Sequence, residues 1–278
     1  METQPVWVLG GGGITGIAWE TGVLAGLASQ GVAIDAGDSV LGTSAGATVA
    51  AQVTSGVPMA ELYERQRAGV PYEISRSMGV GKLLRFIGAQ LFASSPEAGA
   101  ARIGKLALAG NAEWATARRE VIETRLPRHD WPASDLRLVV VDATSGAARV
   151  ITRADGLPLV DVVAASCAIP MVWPPVTLDG RAYIDGGTRT AVNLDLAPGE
   201  GPVVALAPTT QGVTRWGRLD AQRARLQPGR TVEVISMSKA AKAAQGRNSL
   251  DKSVVPAVAE AGYAQGVAEA DRARATLA

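Results

Sequence analysis

One pentapeptide in this chain has the residue types and spacing for nucleophilic chemistry. Gly42-Thr43-Ser44-Ala45-Gly46 ends a short apolar run and opens a helix-forming segment. A serine on such a strand-to-helix turn projects its hydroxyl from a tight, strained backbone, for which Gly42 and Gly46 leave room. The same turn sets the Ala45 N–H and the start of the helix beside the hydroxyl, where a developing oxyanion is stabilised. A helix start in which Thr43 or Ser44 is only the N-cap is the plain alternative. Upstream, Gly10 to Gly13 form a loop of bare backbone. A glycine loop that feeds N–H groups towards a serine is what an oxyanion hole requires. The stretch Gly11-Gly12-Gly13-Ile14-Thr15-Gly16 also fits the Gly-x-Gly-x-x-Gly pattern, with Asp35 near the distance of a ribose-binding acid. A nucleotide-binding oxidoreductase is therefore the rival reading.

The histidine count narrows the mechanism. An ordinary serine hydrolase places an imidazole between serine and carboxylate, and this chain has only His129, in the charged loop Arg128-His129-Asp130 that reads as surface. A carboxylate must then activate Ser44 directly. Asp185 is the acid of choice, because Gly186 and Gly187 let the backbone turn sharply after it and a hairpin before it fixes its position; a plain Asp-Gly turn is the alternative. An aspartate near its reference pKa of about 3.9 is a poor proton acceptor from serine, so a partly apolar pocket has to raise it. Asp142, at a strand end, reads as a turn former. The lone Cys167 excludes an internal disulfide and zinc spacing, fits a reducing compartment, and reads as a buried small hydrophobe.

The elements that position these residues follow from punctuation and periodicity. Val6 to Leu9 reads as a buried parallel strand between Pro5 and the glycine cluster, and Ile14 to Gln30 as a helix stopped by Gly31. A strand around Ser39 to Leu41 leads into the serine turn, and helices follow over Ala47 to Val53 and Met59 to Ala68. From Tyr72 to Gly110 the chain is rich in Gly, Ser and Ala, with an amphipathic piece from Leu83 to Phe92. It is read as a helical insertion with a buried apolar face, or as a mobile cap that meets an acyl chain or a membrane surface. Ala112 to Leu126 reads as a polar-faced helix. Leu136 to Val141 and Ala148 to Ile151 read as a hairpin, Pro158 to Ser166 as a helix, and Val176 to Ile184 as a hairpin across Asp179-Gly180. Pro202 to Leu206 and Thr231 to Ile235 are further strands, Gln211 to Pro228 is a solvated loop or helix, and Val254 to Leu277 is the closing helix. Strands alternating with helices imply a mostly parallel sheet covered on both faces.

Composition sets outer limits. With 278 residues, 47% of them hydrophobic, the chain can bury a substantial core as one domain. A net charge of +1 from 27 basic and 26 acidic residues carries no nucleic-acid footprint. The first residues lack the basic-then-apolar pattern of a secretory leader, and no apolar run reaches the roughly 20 residues of a bilayer span, which predicts a soluble, cytoplasmic protein that can touch membranes peripherally.

The ordered set of motifs resembles the patatin-like phospholipases, the serine-aspartate acyl hydrolase family. It comprises Gly10 to Gly16, Gly42 to Gly46, Ala165-Ser166-Cys167-Ala168-Ile169-Pro170 and Tyr183-Ile184-Asp185-Gly186-Gly187. That resemblance implies an α/β three-layer sandwich with a mostly parallel central sheet; the chain reads as one domain over residues 1–278, with the segment at about 70–110, which matches no motif of the family, as a helical cap insertion. The resemblance also implies Ser44 as nucleophile, Asp185 as the acid of a dyad, and oxyanion N–H groups from Gly11, Gly12 and Gly13. The substrate would be a lipid or ester, cleaved with no metal or cofactor. Asn193 falls where the family often has Asn-x-Pro, with Asp195 in the proline position. A non-catalytic scaffold that keeps this fold is a third alternative.

Overall fold

Short β-branched runs bounded by proline and glycine become the strands, and the longer segments between them, broken at glycine or proline, become the helices. The computed structural model describes residues 4–74, 80–91, 93–110, 113–210 and 214–278. In chain order its strands are β1 (Val6–Leu9), β2 (Ser39–Thr43), β3 (Asp135–Asp142), β4 (Ala148–Ile151), β5 (Val176–Leu178), β6 (Arg181–Asp185), β7 (Val203–Ala207) and β8 (Val232–Ser236). Its helices are α1 (Gly13–Ser29), α2 (Ala45–Val53), α3 (Met59–Arg67), α4 (Val80–Leu91), α5 (Pro96–Leu108), α6 (Ala115–Arg125), α7 (Leu159–Ser166), α8 (Leu219–Arg223), α9 (Lys239–Gln245) and α10 (Val255–Leu277).

Among the described residues the strands form one eight-stranded sheet, ordered β5-β6-β3-β2-β1-β7-β8, with β4 also paired to β3. The run β3-β2-β1-β7-β8 is parallel, and the hairpin strands β4, β5 and β6 add antiparallel pairings at one side. This is the expected α/β sandwich, a central sheet flanked by helices. Alternate residues face opposite cores, as the two-residue period of a strand requires. Trp7, Leu9, Val40, Leu138 and Val140 pack with α1, α2, α7 and α10 on one face. Val6, Val8, Leu41 and Val139 face a second core that includes Val192 and Leu194.

One feature of β3 decides where the site forms. Its first five residues, Asp135 to Val139, pair with β2, while Val140 to Asp142 pair with β6. Since β4 lies along Leu138 to Val141 and overlaps both partners, β2 and β6 must share the other edge of β3. They meet end to end. Ser44, just after β2, and Asp185, last in β6, are thereby brought together from positions far apart in the chain.

Among the described residues of the segment from 72 to 110, the amphipathic piece lies in α4 and a second helix, α5, follows it. The helix α5 begins where Ser95 caps it, accepting a hydrogen bond from Ala98 N–H, with Pro96 in the first turn, a start signal passed over in the sequence. Ala100, Ile103 and Ala107 of α5 pack on Val141, Ala143 and Ile184 of the sheet, and Phe86 of α4 joins them. Leu84 and Leu91 of α4 stay 64% and 57% exposed. Phe92, the end of the amphipathic piece read from the sequence, lies outside the described residues. The polar-faced helix expected from Ala112 starts at Ala115; Ala112 itself also lies outside them. Among the described residues no helix is long and apolar enough to cross a membrane.

Candidate active site

Ser44 sits between β2 and α2 with φ 55° and ψ −114°, a backbone region that costs a non-glycine residue about 1–3 kcal/mol and persists only where surroundings over-determine it. Those surroundings are visible. The Ser44 N–H donates to Ser166 Oγ at 2.9 Å, Ser166 Oγ donates on to Val139 O at 2.7 Å, and Cys167 Sγ donates to Ser44 O at 3.1 Å. Both peptide groups around the serine are therefore held from the end of α7. Room for the turn comes from glycine: a Cβ on Gly46 would collide with Leu9 O. Gly42 lies similarly tight against Ala47, whereas Gly16 makes a looser approach to the Ala45 side chain.

Ser44 Oγ donates to Asp185 Oδ2 at 2.7 Å. The other carboxylate oxygen, Oδ1, accepts the Gly187 N–H at 2.7 Å, and the Asp185 N–H donates to Ala168 O at 3.1 Å. The single segment 166–168 thus anchors both members of the pair. Gly186 allows the sharp exit, since a Cβ there would strike Val139 O. Asn193, itself at φ 53°, ties the two strand ends, donating from Nδ2 to Thr43 Oγ1 at 3.2 Å and to Gly186 O at 3.1 Å. Asp195 pairs with Arg189 at 2.6 Å and Arg225 at 3.4 Å. Ser44 and Asp185 are 7% and 4% exposed. Burial pushes the Asp185 carboxyl up to about 6, against the lowering effect of the Ser44 and Gly187 hydrogen bonds and the Arg118 charge. At neutral pH it is ionised yet far more basic than a surface aspartate.

The glycine loop lies where the sequence placed it, with one correction. Gly11 is beside the serine, but its N–H already donates to Ala191 O at 2.7 Å, so it is not an available oxyanion donor. The N–H groups of Gly12, Gly13 and Ala45 have no acceptor among the described residues. Gly13 and Ala45 line a cavity of about 20 Å³ together with Ser44; its other walls include Ile14, Ile17, Ile169, Trp173 and Leu250. This volume holds about one water. An acyl chain requires the walls to part.

The residues set aside in the sequence lie elsewhere or act differently. His129 is on the surface, its Nδ1 3.8 Å from Glu123 Oε1. Asp142 accepts the N–H groups of Thr144 and Ser145, as a turn former does. Asp35 precedes β2, and Val6 pairs with Ser39, so Asp35 lies at the N-terminal end of the strands, opposite the end that carries the glycine loop, out of reach of a ribose bound there. Cys167 is buried as expected, but more than a small hydrophobe: its thiol holds Ser44 O and meets Thr48 Oγ1 at 3.5 Å.

Sequence reasoning missed Arg118. This α6 residue lines the Ser44 cavity and is 7% exposed. Its guanidinium lies over the Trp173 ring, 4.5 Å from the centroid. Nearby, Glu73 accepts from Arg125 with both oxygens, Oε2 at 2.7 Å from Nη2, leaving Arg118 Nη1 3.8 Å from the same carboxylate. Burial, then the Arg125 charge, pull Arg118 down to about 10, so it stays cationic at neutral pH. Nothing local in the sequence marks it, because α6 carries Arg119 beside it as an ordinary surface residue.

The patatin-like phospholipase family profile matches residues 7–198. Among solved structures the chain is similar to VipD from Legionella pneumophila, at 14% identity and a TM-score of 0.48, over 98% of this chain and 67% of that one. It is also similar to the type III effector protein ExoU, at 15% identity and a TM-score of 0.39, over 98% of this chain and 54% of that one. No curated protein matches the chain.

Proposed function

The chain belongs to the patatin-like phospholipase family, and from that premise we propose that it is a lipid acyl hydrolase working through a Ser44-Asp185 dyad. The observation that carries this reading is the 2.7 Å hydrogen bond from Ser44 Oγ to Asp185 Oδ2, made by a serine on a strained turn to a buried, raised carboxylate. Ser44 Oγ attacks the ester carbonyl carbon as its proton passes to Asp185 Oδ2. The tetrahedral oxyanion is met by N–H groups of Ala45 and the Gly12-Gly13 turn at the α1 N-terminus. Collapse breaks the carbon–oxygen bond to the leaving alcohol, which takes the proton from Asp185. Water then attacks the acyl-enzyme with Asp185 again as base, releasing the acid and restoring Ser44. We take residues 1–278 as one hydrolase domain, with the helices in 70–110 as an insertion. The exposed Leu84 and Leu91 support contact of that insertion with a lipid surface.

The test is intact-mass spectrometry after incubation with a fluorophosphonate. A single adduct on the wild type, absent from Ser44→Ala and retained by His129→Ala, is expected. Absence of an adduct both with and without detergent micelles would favour a non-catalytic scaffold.

A further inference from the structure

We propose that Trp173 is the specificity-determining residue of this site: its ring closes the acyl end of the Ser44 cavity, so that the preferred ester carries a short acyl group. The inference rests on the acyl-hydrolase reading of Ser44 and adds the acyl-chain class of the substrate.

Three observations carry it. First, the space beside the nucleophile is small. The cavity lined by Ser44, Gly13 and Ala45 measures about 20 Å³, room for about one water, which admits a methyl group and little more. Second, a much larger space lies directly behind one wall. A cleft of about 390 Å³ with apolar lining from Ala115, Ala164, Pro175 and Val176 runs between α6, α7 and β5, and is of the size that holds a small ligand. Among the described residues, Arg118 and Trp173 are the two that border both spaces. They form one stacked unit, the guanidinium 4.5 Å from the ring centroid, and this unit is the partition between nucleophile and cleft. Another cleft, of about 440 Å³ on the α5 side, shares Trp173 alone with the Ser44 cavity among the described residues, and carries the charged Arg85 and Glu113. An acyl chain passing the ring therefore runs between α6 and α7.

Third, the partition is held in place. Trp173 is 5% exposed and sits on a tight turn, its N–H donating to Ile169 O at 2.8 Å. Met171 in that turn takes φ 65°, and Pro170 and Pro174 stiffen either side. A left-handed methionine persists only where its surroundings enforce it, and such strain gathers at working sites. The turn follows directly on residues 166–168, which anchor Ser44 and Asp185, so one segment sets both the dyad and the ring. Arg118 is kept charged by Glu73, 3.8 Å from its Nη1, and by Asp185, and a cation over a tryptophan face is attracted to it. A long acyl chain must break this stack, whereas a methyl group need not.

The experiment compares 4-nitrophenyl acetate with 4-nitrophenyl octanoate, which share a leaving group and differ in the acyl chain. The readout is the ratio of kcat/KM, octanoate over acetate, and wild type should favour acetate. Trp173→Ala should raise the ratio by about tenfold or more, since at about fourfold per buried methylene two methylenes admitted past the ring suffice. Trp173→Leu, a smaller loss of core volume, should move it the same way and serves if the alanine variant does not fold. Adding Thr177→Trp, at an exposed residue lining the cleft between α6 and α7, should cancel the gain. Adding Ala109→Trp, at an exposed residue of the other cleft, should leave it. A purely structural role for Trp173 would depress both esters alike. A wild type that prefers octanoate, a ratio unchanged by the Trp173 substitutions, or cancellation by Ala109→Trp instead of Thr177→Trp overturns the proposal. Should no variant cleave either ester, the acyl-hydrolase reading fails, and the partition is judged without turnover by the rise in thermal unfolding temperature with octanamide over that with acetamide. That excess is expected in Trp173→Ala and absent from wild type and from Trp173→Ala with Thr177→Trp; an equal response in all three overturns the proposal.

Discussion

If Asp185 is the base, the reactivity of Ser44 must follow its ionisation, and the structure sets where that occurs. With burial holding the carboxyl at about 6, about 9% of it is ionised at pH 5 and about 91% at pH 7. Phosphonylation of Ser44 by a fluorophosphonate should therefore accelerate about tenfold over those two pH units, then level off. An aspartate at the ordinary value of about 3.9 would be about 93% ionised at pH 5 already, and its rate would change by less than about 10%. The assay is the pseudo-first-order appearance of the adduct by mass across pH 4.5 to 8.5 at constant ionic strength. Asp185→Asn should remove the inflexion and slow the reaction by about 10²-fold or more, the usual worth of a general base. Arg118→Met should move the inflexion upwards, since the Arg118 charge lowers the Asp185 value. A flat wild-type profile between pH 5 and 7 would refute the assignment of Asp185 as the proton acceptor.

The same carboxyl makes stability depend on pH. Folded Asp185 titrates about two units above an unfolded aspartate, so the native state holds the extra proton between about pH 4 and 6, and stability is lost as pH rises through that window, by up to about 3 kcal/mol. Urea unfolding at pH 4 and 7.5 should show Asp185→Asn gaining that amount relative to wild type at the higher pH; a constant difference would contradict the burial penalty. Ser44→Gly should be about 1 kcal/mol more stable than Ser44→Ala, since both lack the hydroxyl and only glycine relaxes at φ 55°; equal midpoints in denaturant would mean the turn is unstrained. Replacing Leu84 and Leu91 by Ser should reduce co-sedimentation with liposomes while leaving unfolding unchanged, because both are exposed. Phe86 is the wrong residue for that test, being packed against the α5 core; undiminished co-sedimentation of the Leu84, Leu91 variant would dispose of membrane contact through α4.

Much of the site is readable in one dimension because its chemistry depends on local backbone. The turn at Ser44 needs glycine on both sides, the loop before α1 needs residues without Cβ, and the exit after Asp185 needs Gly186, so each leaves a short signature. The alternation of apolar runs and helical segments likewise specifies an α/β sandwich, since a strand's two-residue period and a helix's 3.6-residue period are properties of the chain itself. Asn193 stands out in the sequence by position alone, and its ties to Thr43 and Gly186 exist only once three segments converge. Ser166 and Cys167 look like the small-residue end of a helix, and only the fold shows that they hold the peptide groups of Ser44.

What the tertiary structure alone decided is the placement of charge and the pairing of partners. That β2 and β6 share one edge of β3 brings Ser44 to Asp185 across 141 residues, a consequence of which edge β4 occupies rather than of any local preference. Gly11 loses its role as donor to a carbonyl, Ala191 O, from a distant loop. Arg118 reads in the sequence as one more arginine on a polar helix, and only the folded chain buries it in the wall of the Ser44 cavity, over Trp173 and beside a Glu73 that bonds Arg125 with both oxygens. Backbone geometry is written residue by residue, whereas burial and electrostatic balance are sums over everything that packs around a group, and those sums exist only in the folded chain.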